Sequence, residues 1–304
     1  MTREMLTTKE VAEYLSINEK QVYRLIKEKK IPATRITGKW LFPKNLINEW
    51  ILASARESVR DAPQKTAPEN QVVIAGSNDL ALELLVKNTN LHNPGYTISI
   101  SNLGSLAGLI SLQHGDCHIA ASHLLDHDTG EYNSPFIRKF FPNMKVILLN
   151  VAYREQGLIV RKGNPKGIKT LNDLTTQKVT FVNRQEGSGT RVLLDYRLKE
   201  SGIDPADIPG YFRSAYTHME VALDVFSGGA DAGMGIMAVA RSLELDFIPL
   251  ARERFDLIIP EMNYNAGAVK ALREVLSSED FKSTIVQMGG YAVRDTGKVV
   301  YEKA

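Results

Sequence analysis

Phe181-Val182-Asn183-Arg184-Gln185-Glu186-Gly187-Ser188-Gly189-Thr190-Arg191 leads from an apolar run into a helical one through two glycines, two hydroxyl residues and two arginines. Residues 178–183 (KVTFVN) alternate and are β-branched, which reads as a buried strand. Residues 192–198 (VLLDYRL) have helical spacing and good helix formers. A strand that ends in such a loop and opens a helix aims free backbone N–H groups at one spot, where the helix dipole favours negative charge. Glycine lets the backbone approach closely, and hydroxyls and guanidinium groups add donors. Arg184, Ser188, Gly189, Thr190 and Arg191 are therefore candidates for holding a small anion. The same residues also suit a plain capped helix with a glycine turn, Ser188 or Thr190 being the cap. The residues alone leave both readings standing. The phosphate-binding pattern GxxxxGK[ST] is absent.

The same theme of short apolar strand, small-residue loop and helix recurs upstream. Residues 72–75 read as a strand, 76–79 (GSND) as a loop and 80–86 as a helix; 97–100, 101–105 (SNLGS) and 106–112 repeat the series. Residues 117–122 form another strand ending in His123. Such alternation predicts an α/β domain with mostly parallel strands, whose ligands lie at the carboxyl ends of strands beside helix N-termini. The Ser77, Ser105 and 187–191 loops are thus able to converge. The apolar stretch at 145–160 (KVILLNVAYREQGLIV) separates the first two from the third and reads as a crossover between two lobes, with the anion site in the cleft.

The chain of 304 residues has 43% hydrophobic and 24% charged residues, which allows a sizeable core in one large or a few smaller domains. Cys117 is the single cysteine, so no disulfide framework or cysteine metal cluster is expected. The N-terminus lacks a basic-then-apolar leader and no apolar run approaches the ~18 residues of a membrane span, so a cytoplasmic protein without membrane contact is expected. Net charge is +2, unevenly placed: residues 1–60 carry 12 Lys/Arg against 7 Asp/Glu. A basic head on a mildly acidic body points to nucleic acid at the head alone.

Within the head, Thr7 and Glu10 have capping-box spacing, repeated by Asn18 and Gln21. Val11, Ala12 and Leu15, then Val22, Leu25 and Ile26, supply the inner faces of two short helices joined by a three-residue turn, a helix-turn-helix candidate. Residues 31–42 alternate about Gly38 as a hairpin wing. Pro43 suits a first helical position, and Leu46, Ile47, Trp50 and Ile51 close a third helix. Lys20, Gln21, Tyr23, Arg24 and Lys27 occupy the polar side of the second helix, and Arg35, Thr37 and Lys39 the wing. Residues 18–44 hold eight Lys/Arg and two Glu, the charge footprint of a groove-reading helix with a phosphate-gripping wing. A protein-interaction module with a solvated basic face is the plainer alternative. Residues 6–51 (LTTKEVAEYLSINEKQVYRLIKEKKIPATRITGKWLFPKNLINEWI) resemble the excisionase/MerR-type winged helix-turn-helix along their whole length. The resemblance implies DNA binding, with Gln21, Tyr23 and Arg24 as base or backbone readers and Lys39 on the wing. Residues 53–70 lose periodicity, mix charges and carry Pro63 and Pro68, so they read as a tether.

Residues 74–85 (IAGSNDLALELL), 104–133, 156–174, 181–191 and 230–250 (ADAGMGIMAVARSLELDFIPL) together resemble the periplasmic-binding-protein-like domain. They are closest in pattern to its molybdate-binding-like branch fused to an excisionase-type helix-turn-helix. What this implies is a winged helix-turn-helix head (1–52), a linker (53–70) and a two-lobed type II α/β domain (71–304). Lobe I would span about 71–155 plus part of the C-terminal region, and lobe II about 160–255. By position, Ser77 and Ser105 match the oxyanion-holding serines of the first two loops, and Ser188, Thr190 and Arg191 the second-lobe loop. Tyr153, Thr217 and His218 have no such match. An arginine-bearing loop suits tungstate-like or other anion carriers better than neutral molybdate sites.

His114, His118, His123 and His127 have spacings that place two on one helical face, but the intervening CHIAAS reads as a strand and the HExxH pattern is absent. No metal or cofactor is expected. His123, at a strand end near the cleft, is a candidate oxyanion donor. Asp116, Asp126, Asp128, Asp224 and Asp231 suit loop caps, Cys117 a small buried apolar position, and Tyr211, Phe212 and Tyr216 either core or cleft wall. The sequence thus points to a DNA-binding, dimeric, one-component regulator sensing molybdate or tungstate. Sulfate, phosphate or an organic carboxylate are alternatives for its ligand. An enzyme on the same cleft is the rival from another class, and no nucleophile–base pair is visible for it in the sequence.

Overall fold

The computed structural model describes residues 5–303 except 16, 17, 29, 37, 49, 51–69, 177 and 178. The chain divides into two compact units, Met1–Pro63 and Gln64–Ala304. The tether expected at residues 53–70 lies, but for Asn70, outside the described residues.

In the first unit, β1 (Met5–Thr7), α1 (Thr8–Tyr14), α2 (Glu19–Lys27), β2 (Thr34–Ile36), β3 (Lys39–Pro43) and α3 (residues 44–48) follow in order. Both capping boxes form. Thr7 N donates to Glu10 Oε2 at 2.8 Å while Glu10 N donates to Thr7 Oγ1 at 3.3 Å. Asn18 and Gln21 exchange the same pair of bonds at the start of α2. The wing is an antiparallel β2–β3 hairpin, and β1 adds to the far side of β3, a third strand too short to show in the sequence pattern. Pro43 is the last residue of β3 rather than the first of a helix; its ring fixes φ at a value common to both, so its type alone does not choose. Val11, Val22, Phe42 and Ile47 are fully buried and form the head's core.

In the second unit come β4 (Gln71–Gly76), α4 (Leu80–His92), β5 (Thr97–Asn102), α5 (Ser105–His114), β6 (Ile119–Ser122), α6 (Ser134–Phe140) and β7 (Val146–Val160). They are followed by α7 (Asp173–Thr176), β8 (Phe181–Arg184), α8 (Gly189–Glu200), β9 (Ser214–Ala215), α9 (His218–Phe226), β10 (Ala232–Ile236) and α10 (Met237–Ser242). β11 (Asp246–Pro260), α11 (Glu261–Tyr264), α12 (Gly267–Ser277), α13 (Glu279–Met288), β12 (Tyr291–Ala292) and β13 (Val299–Lys303) complete it. The sheet runs β5-β4-β6-β11-β7-β10-β8-β9, with β12 and β13 added to β7.

The flanks are parallel, as the strand–loop–helix repeats require: β4 pairs with β5 and β6, and β8 with β9 and β10. The centre is not, and the expectation of mostly parallel strands is corrected there. β7 and β11, 15 residues each, pair antiparallel from Asp246↔Val160 to Pro260↔Val146 and run through both halves. The reason is burial on both faces: a strand covered on each side carries a continuous apolar run whose partner and direction its sequence does not encode. Register shifts at Pro249/Ala251 and Phe255/Asp256 bracket a segment of β11 at the junction of the halves. Leu158, Phe181, Leu194 and Met234 pack beneath α8, whereas Leu109, Ile137, Phe141 and Leu148 pack beneath α5 and α6. A third, larger core joins α4, α9, α12 and α13 to the sheet.

Candidate functional site

The loops after β4, β5, β6 and β8 meet the middle of β7 and β11, and the side chains gathered there are polar and almost wholly buried. Gly76 makes the first turn possible: its φ is +138°, and a Cβ there would collide with the Ala121 carbonyl oxygen of β6. Ser77 N donates to that oxygen at 2.9 Å, which seats Ser77 beside the end of β6. His123 follows β6. Its Nε2 lies 2.9 Å from Ser77 Oγ and its Nδ1 2.8 Å from Glu253 Oε2, and its backbone N donates to Ser105 Oγ at 3.4 Å. Asp79 caps α4 through Oδ1, accepting from Ala81 N at 2.8 Å and Leu82 N at 3.2 Å. Its Oδ2 accepts from Arg154 Nη1 at 2.5 Å and from Tyr291 Oη at 3.0 Å. Arg154 also donates through Nε to Glu253 Oε1, which receives Gln156 Nε2 at 2.9 Å as well.

From the other half, Gln156 Nε2 donates to Thr190 Oγ1 at 2.8 Å. Gly189 lies against the His123 ring so closely that a Cβ would come within 2.6 Å of Nδ1. Leu106 N donates to Gly187 O at 3.2 Å, and His218 N, at the start of α9, to Asn78 Oδ1 at 3.4 Å. The two halves are therefore closed on one another, and Ser77, Ser105, His123, Ser188 and Thr190 are each no more than 3% exposed.

The electrostatics are unusual for a core. Arg154 faces two carboxylates, but Arg184 forms no ion pair among the described residues: Nη2 donates to Tyr216 O at 2.8 Å, Nε to Gln185 Oε1 at 3.2 Å, and buried Nη1 has no partner. Burial, then the nearby Arg154 charge, pull the Arg184 guanidinium down to about 10. Arg154 Nη2, Gln185 Nε2 and both ring nitrogens of His218 are likewise buried without partners among the described residues. Burial and the two arginines push His218 well below the usual imidazole range. Burial lowers His123 too, against the pull of Glu253. Burial alone would raise Glu253, but Arg154 and His123 outweigh it and hold this carboxylate at about 2.

Of the residues singled out in the sequence, Ser77, Ser105, His123, Arg184, Ser188, Gly189 and Thr190 come together here. Ser188 is also the cap of α8, accepting Arg191 N at 3.2 Å. Arg191 is the correction. Its guanidinium donates to Asp195 at 3.0 Å and to the Arg184 and Tyr211 carbonyls, and lies 3.9 Å over the Tyr211 ring, so it is consumed in supporting the loop from behind. Local spacing explains this: Asp195 lies four residues on and shares a face of α8 with Arg191, so the guanidinium finds a carboxylate on its own helix. Asp79, Arg154, Gln156, Glu253 and Tyr291 were missed, and His218 was named but left unassigned. Charged residues inside the apolar runs VILLNVAYREQGLIV and LARERFDLIIP were the available signal for Arg154 and Glu253, because a buried strand tolerates charge only when it is paired. Ser77 and His123, which nothing in the sequence pairs, are in contact. The other histidines scatter, His118 Nδ1 accepting from Val73 N at 2.9 Å and His127 stacking on Tyr196 at 3.8 Å. Phe212 and Tyr216 are exposed and Tyr211 lies under Arg191.

On the head, Lys20, Gln21, Tyr23, Arg24 and Lys27 of α2 are all exposed, as are Arg35 and Lys39 on the wing. Gln21 spends its carbonyl on the capping box, leaving its amide N–H groups outward. Arg35 Nε donates to Gly38 O at 3.3 Å and its guanidinium lies 5.7 Å from the Trp40 ring, which steadies the wing tip.

Residues 86–277 match the PBP superfamily domain and residues 5–54 the helix-turn-helix domain. The chain is 35% identical to the uncharacterized protein YvgK of Bacillus subtilis (strain 168), over 97% of each. Its fold is similar to that of a phosphate ABC transporter substrate-binding protein of Clostridium perfringens with bound phosphate (TM-score 0.56, 15% identity, 73% of this chain and 98% of that one). It is also similar to the tungstate ABC transporter protein of Geobacter sulfurreducens (TM-score 0.53, 16% identity, 72% and 99%). Among the described residues no helix is long and apolar enough to cross a membrane. The two matches leave residues 1–4, 55–85 and 278–304 outside a recognised domain, and the chain belongs to the PBP superfamily, its two-lobed type II α/β domain following an N-terminal DNA-binding helix-turn-helix domain.

Proposed function

We propose that this protein is a one-component transcription regulator whose two-lobed domain senses a small oxyanion, with molybdate or tungstate the leading candidates. The observation that carries the reading is Arg184, a buried guanidinium that forms no ion pair among the described residues and has an unpartnered Nη1, beside the unpartnered donors of Arg154, Gln185 and His218. A buried unpaired cation costs several kcal/mol, so it belongs where an anionic ligand neutralises it. Ser77, Ser105, His123, Arg184, Ser188, Gly189 and Thr190 form the site in this reading, with Arg191 as support. The tungstate of one structural neighbour's name is compatible with it; sulfate, phosphate, which another neighbour holds, or an organic carboxylate is the alternative ligand.

The domain limits follow the same reading: a head at 1–52, a tether at 53–70, and lobes of about 71–155 with part of the C-terminal region, and about 160–255. Lys20, Gln21, Tyr23, Arg24 and Lys27 face DNA, Arg35 and Lys39 hold its phosphates, and a homodimer spans a two-fold operator inside the cell. Anion binding shifts DNA affinity through lobe closure, which requires unequal affinity for open and closed forms. The test is calorimetric titration of the full chain with molybdate, tungstate, sulfate and phosphate, followed by operator-binding assays with and without the anion that binds. One-to-one binding with a change in DNA affinity is expected; silence across all four anions would remove the oxyanion reading.

Both matched domains are binding modules, yet Ser77, His123 and Glu253 stand in the order of nucleophile, base and orienting acid, which gives an acyl-transfer enzyme a specific footing. Release of p-nitrophenol from p-nitrophenyl acetate that disappears in Ser77→Ala would favour it over sensing.

A further inference from the structure

Ser77, His123 and Glu253 form a hydrogen-bonded chain in which every proton can be assigned. Glu253 accepts from Arg154 Nε and from Gln156 Nε2 at 2.9 Å through Oε1, and faces His123 Nδ1 at 2.8 Å through Oε2. An ionised carboxylate offers only acceptors, so the hydrogen between Oε2 and the ring sits on Nδ1. A neutral imidazole protonated at Nδ1 presents a lone pair at Nε2. The Ser77 hydroxyl, 2.9 Å away, therefore donates to His123 and its one proton is committed.

In that state Ser77 meets a ligand with lone pairs alone, and an oxyanion also has only acceptors. The serine that the site would use is turned the wrong way. One added proton corrects it. With hydrogen on both ring nitrogens, His123 donates to Glu253 and to Ser77 Oγ, and the Ser77 O–H is released toward the cleft. We propose that oxyanion capture is coupled to the uptake of one proton by His123, which converts Ser77 from a donor to the ring into a donor to the ligand. This rests on the oxyanion reading above. The proton comes from solvent, and no bond between heavy atoms is made or broken.

The surroundings of the ring support the exchange. Glu253 reaches it from β11, Arg154 from β7, Arg184 from the end of β8, His218 from the start of α9, and Ser77 from the turn between β4 and α4, where Asp79 holds Arg154. Gly189 closes the remaining side, so Ser77 and Glu253 are the partners its nitrogens have. The charges of Arg154, Arg184, Asp79 and Glu253 sum to zero, although both carboxylates pair with Arg154 and Arg184 forms no ion pair among the described residues. An arriving dianion tips this balance by two negative charges, and an imidazolium next to Glu253 returns one of them. The coupling also explains why a histidine already disfavoured in its charged form by burial is kept in contact with a carboxylate.

The experiment is titration of the full chain with sodium molybdate and with sodium tungstate at pH 7.5, in HEPES, MOPS and Tris, whose ionisation enthalpies differ. The slope of observed enthalpy against buffer ionisation enthalpy is expected to give uptake of close to one proton per anion. Affinity is expected to weaken by up to about tenfold per pH unit on raising the pH through the window where that count holds. Nitrogen-15 chemical shifts of His123 in the unsubstituted protein should pass from the neutral Nδ1–H form to the doubly protonated ring on anion addition. His123→Gln, which cannot titrate, should bind with a proton count near zero. Binding of either anion with no proton uptake and an unchanged ring would overturn the coupling while leaving the sensor standing. Failure of both anions, sulfate and phosphate to bind would remove the sensor reading and the coupling together.

Discussion

Arg184 and Arg191 are seven positions apart and almost equally buried, yet their chemistry differs completely. Arg191 has a carboxylate, two carbonyls and a tyrosine ring; Arg184 has a carbonyl, a glutamine and an unused Nη1. Arg184→Gln should therefore cost anion affinity on the order of a hundredfold, the worth of a charge-assisted hydrogen bond of about 2–3 kcal/mol, with thermal stability unchanged or raised. Arg191→Ala should do the reverse, lowering stability by about 1–2 kcal/mol through lost stacking and hydrogen bonds. Calorimetry and urea unfolding of the two variants separate these roles, and equal losses of affinity would contradict the assignment. The sequence alone could nominate both arginines because they flank one glycine loop. It could not rank them, since the direction of each side chain depends on Asp195, Tyr211 and Tyr216, which lie elsewhere in the chain. Arg154 and Glu253 were harder still: they are 99 positions apart and are matched only by the pairing of β7 with β11.

At the scale of elements, the strand–loop–helix units were legible because each is local: alternation predicts the strand, small residues the loop, and a cap such as Ser188 the helix start. The antiparallel centre and the C-terminal helices that pack beside α4 were not, because continuous apolar runs name neither partner nor direction. The meeting of α8 with His123 is another such non-local event, and Gly189 carries it. Gly189→Ala should weaken anion binding by roughly 5- to 150-fold, since overpacking of about 1–3 kcal/mol falls on the closed form alone. Dissociation should accelerate more than association slows, as stopped-flow measurement would show. An alanine variant that binds and releases as the parent does would mean that the loop does not need to reach the imidazole.

For the whole molecule, His123, His218 and Glu253 tie stability to pH in one direction. Both imidazoles are lowered by burial, so below about pH 6.5 the unfolded chain binds protons that the folded chain excludes, and stability falls as pH falls. Glu253, held at about 2, contributes stability above its unfolded value of about 4.3 and loses it as pH drops toward 2. These groups belong to the second unit, whereas the two tryptophans, Trp40 and Trp50, both belong to the first. In urea, the circular-dichroism midpoint should therefore fall between pH 7.5 and 5, and the tryptophan-fluorescence midpoint should move much less. Coincident shifts in both signals would mean that the units do not unfold separately. The strands β7 and β11 carry one further consequence. Arg154, Gln156 and Glu253 sit on the two strands that both halves share, so this trio is attached to the axle and not to either wheel. Swinging the halves apart would carry Arg184 and His218 away and leave the trio assembled. Substitutions on the axle would then change how readily an anion is first caught, and substitutions on the rim would change how long it stays.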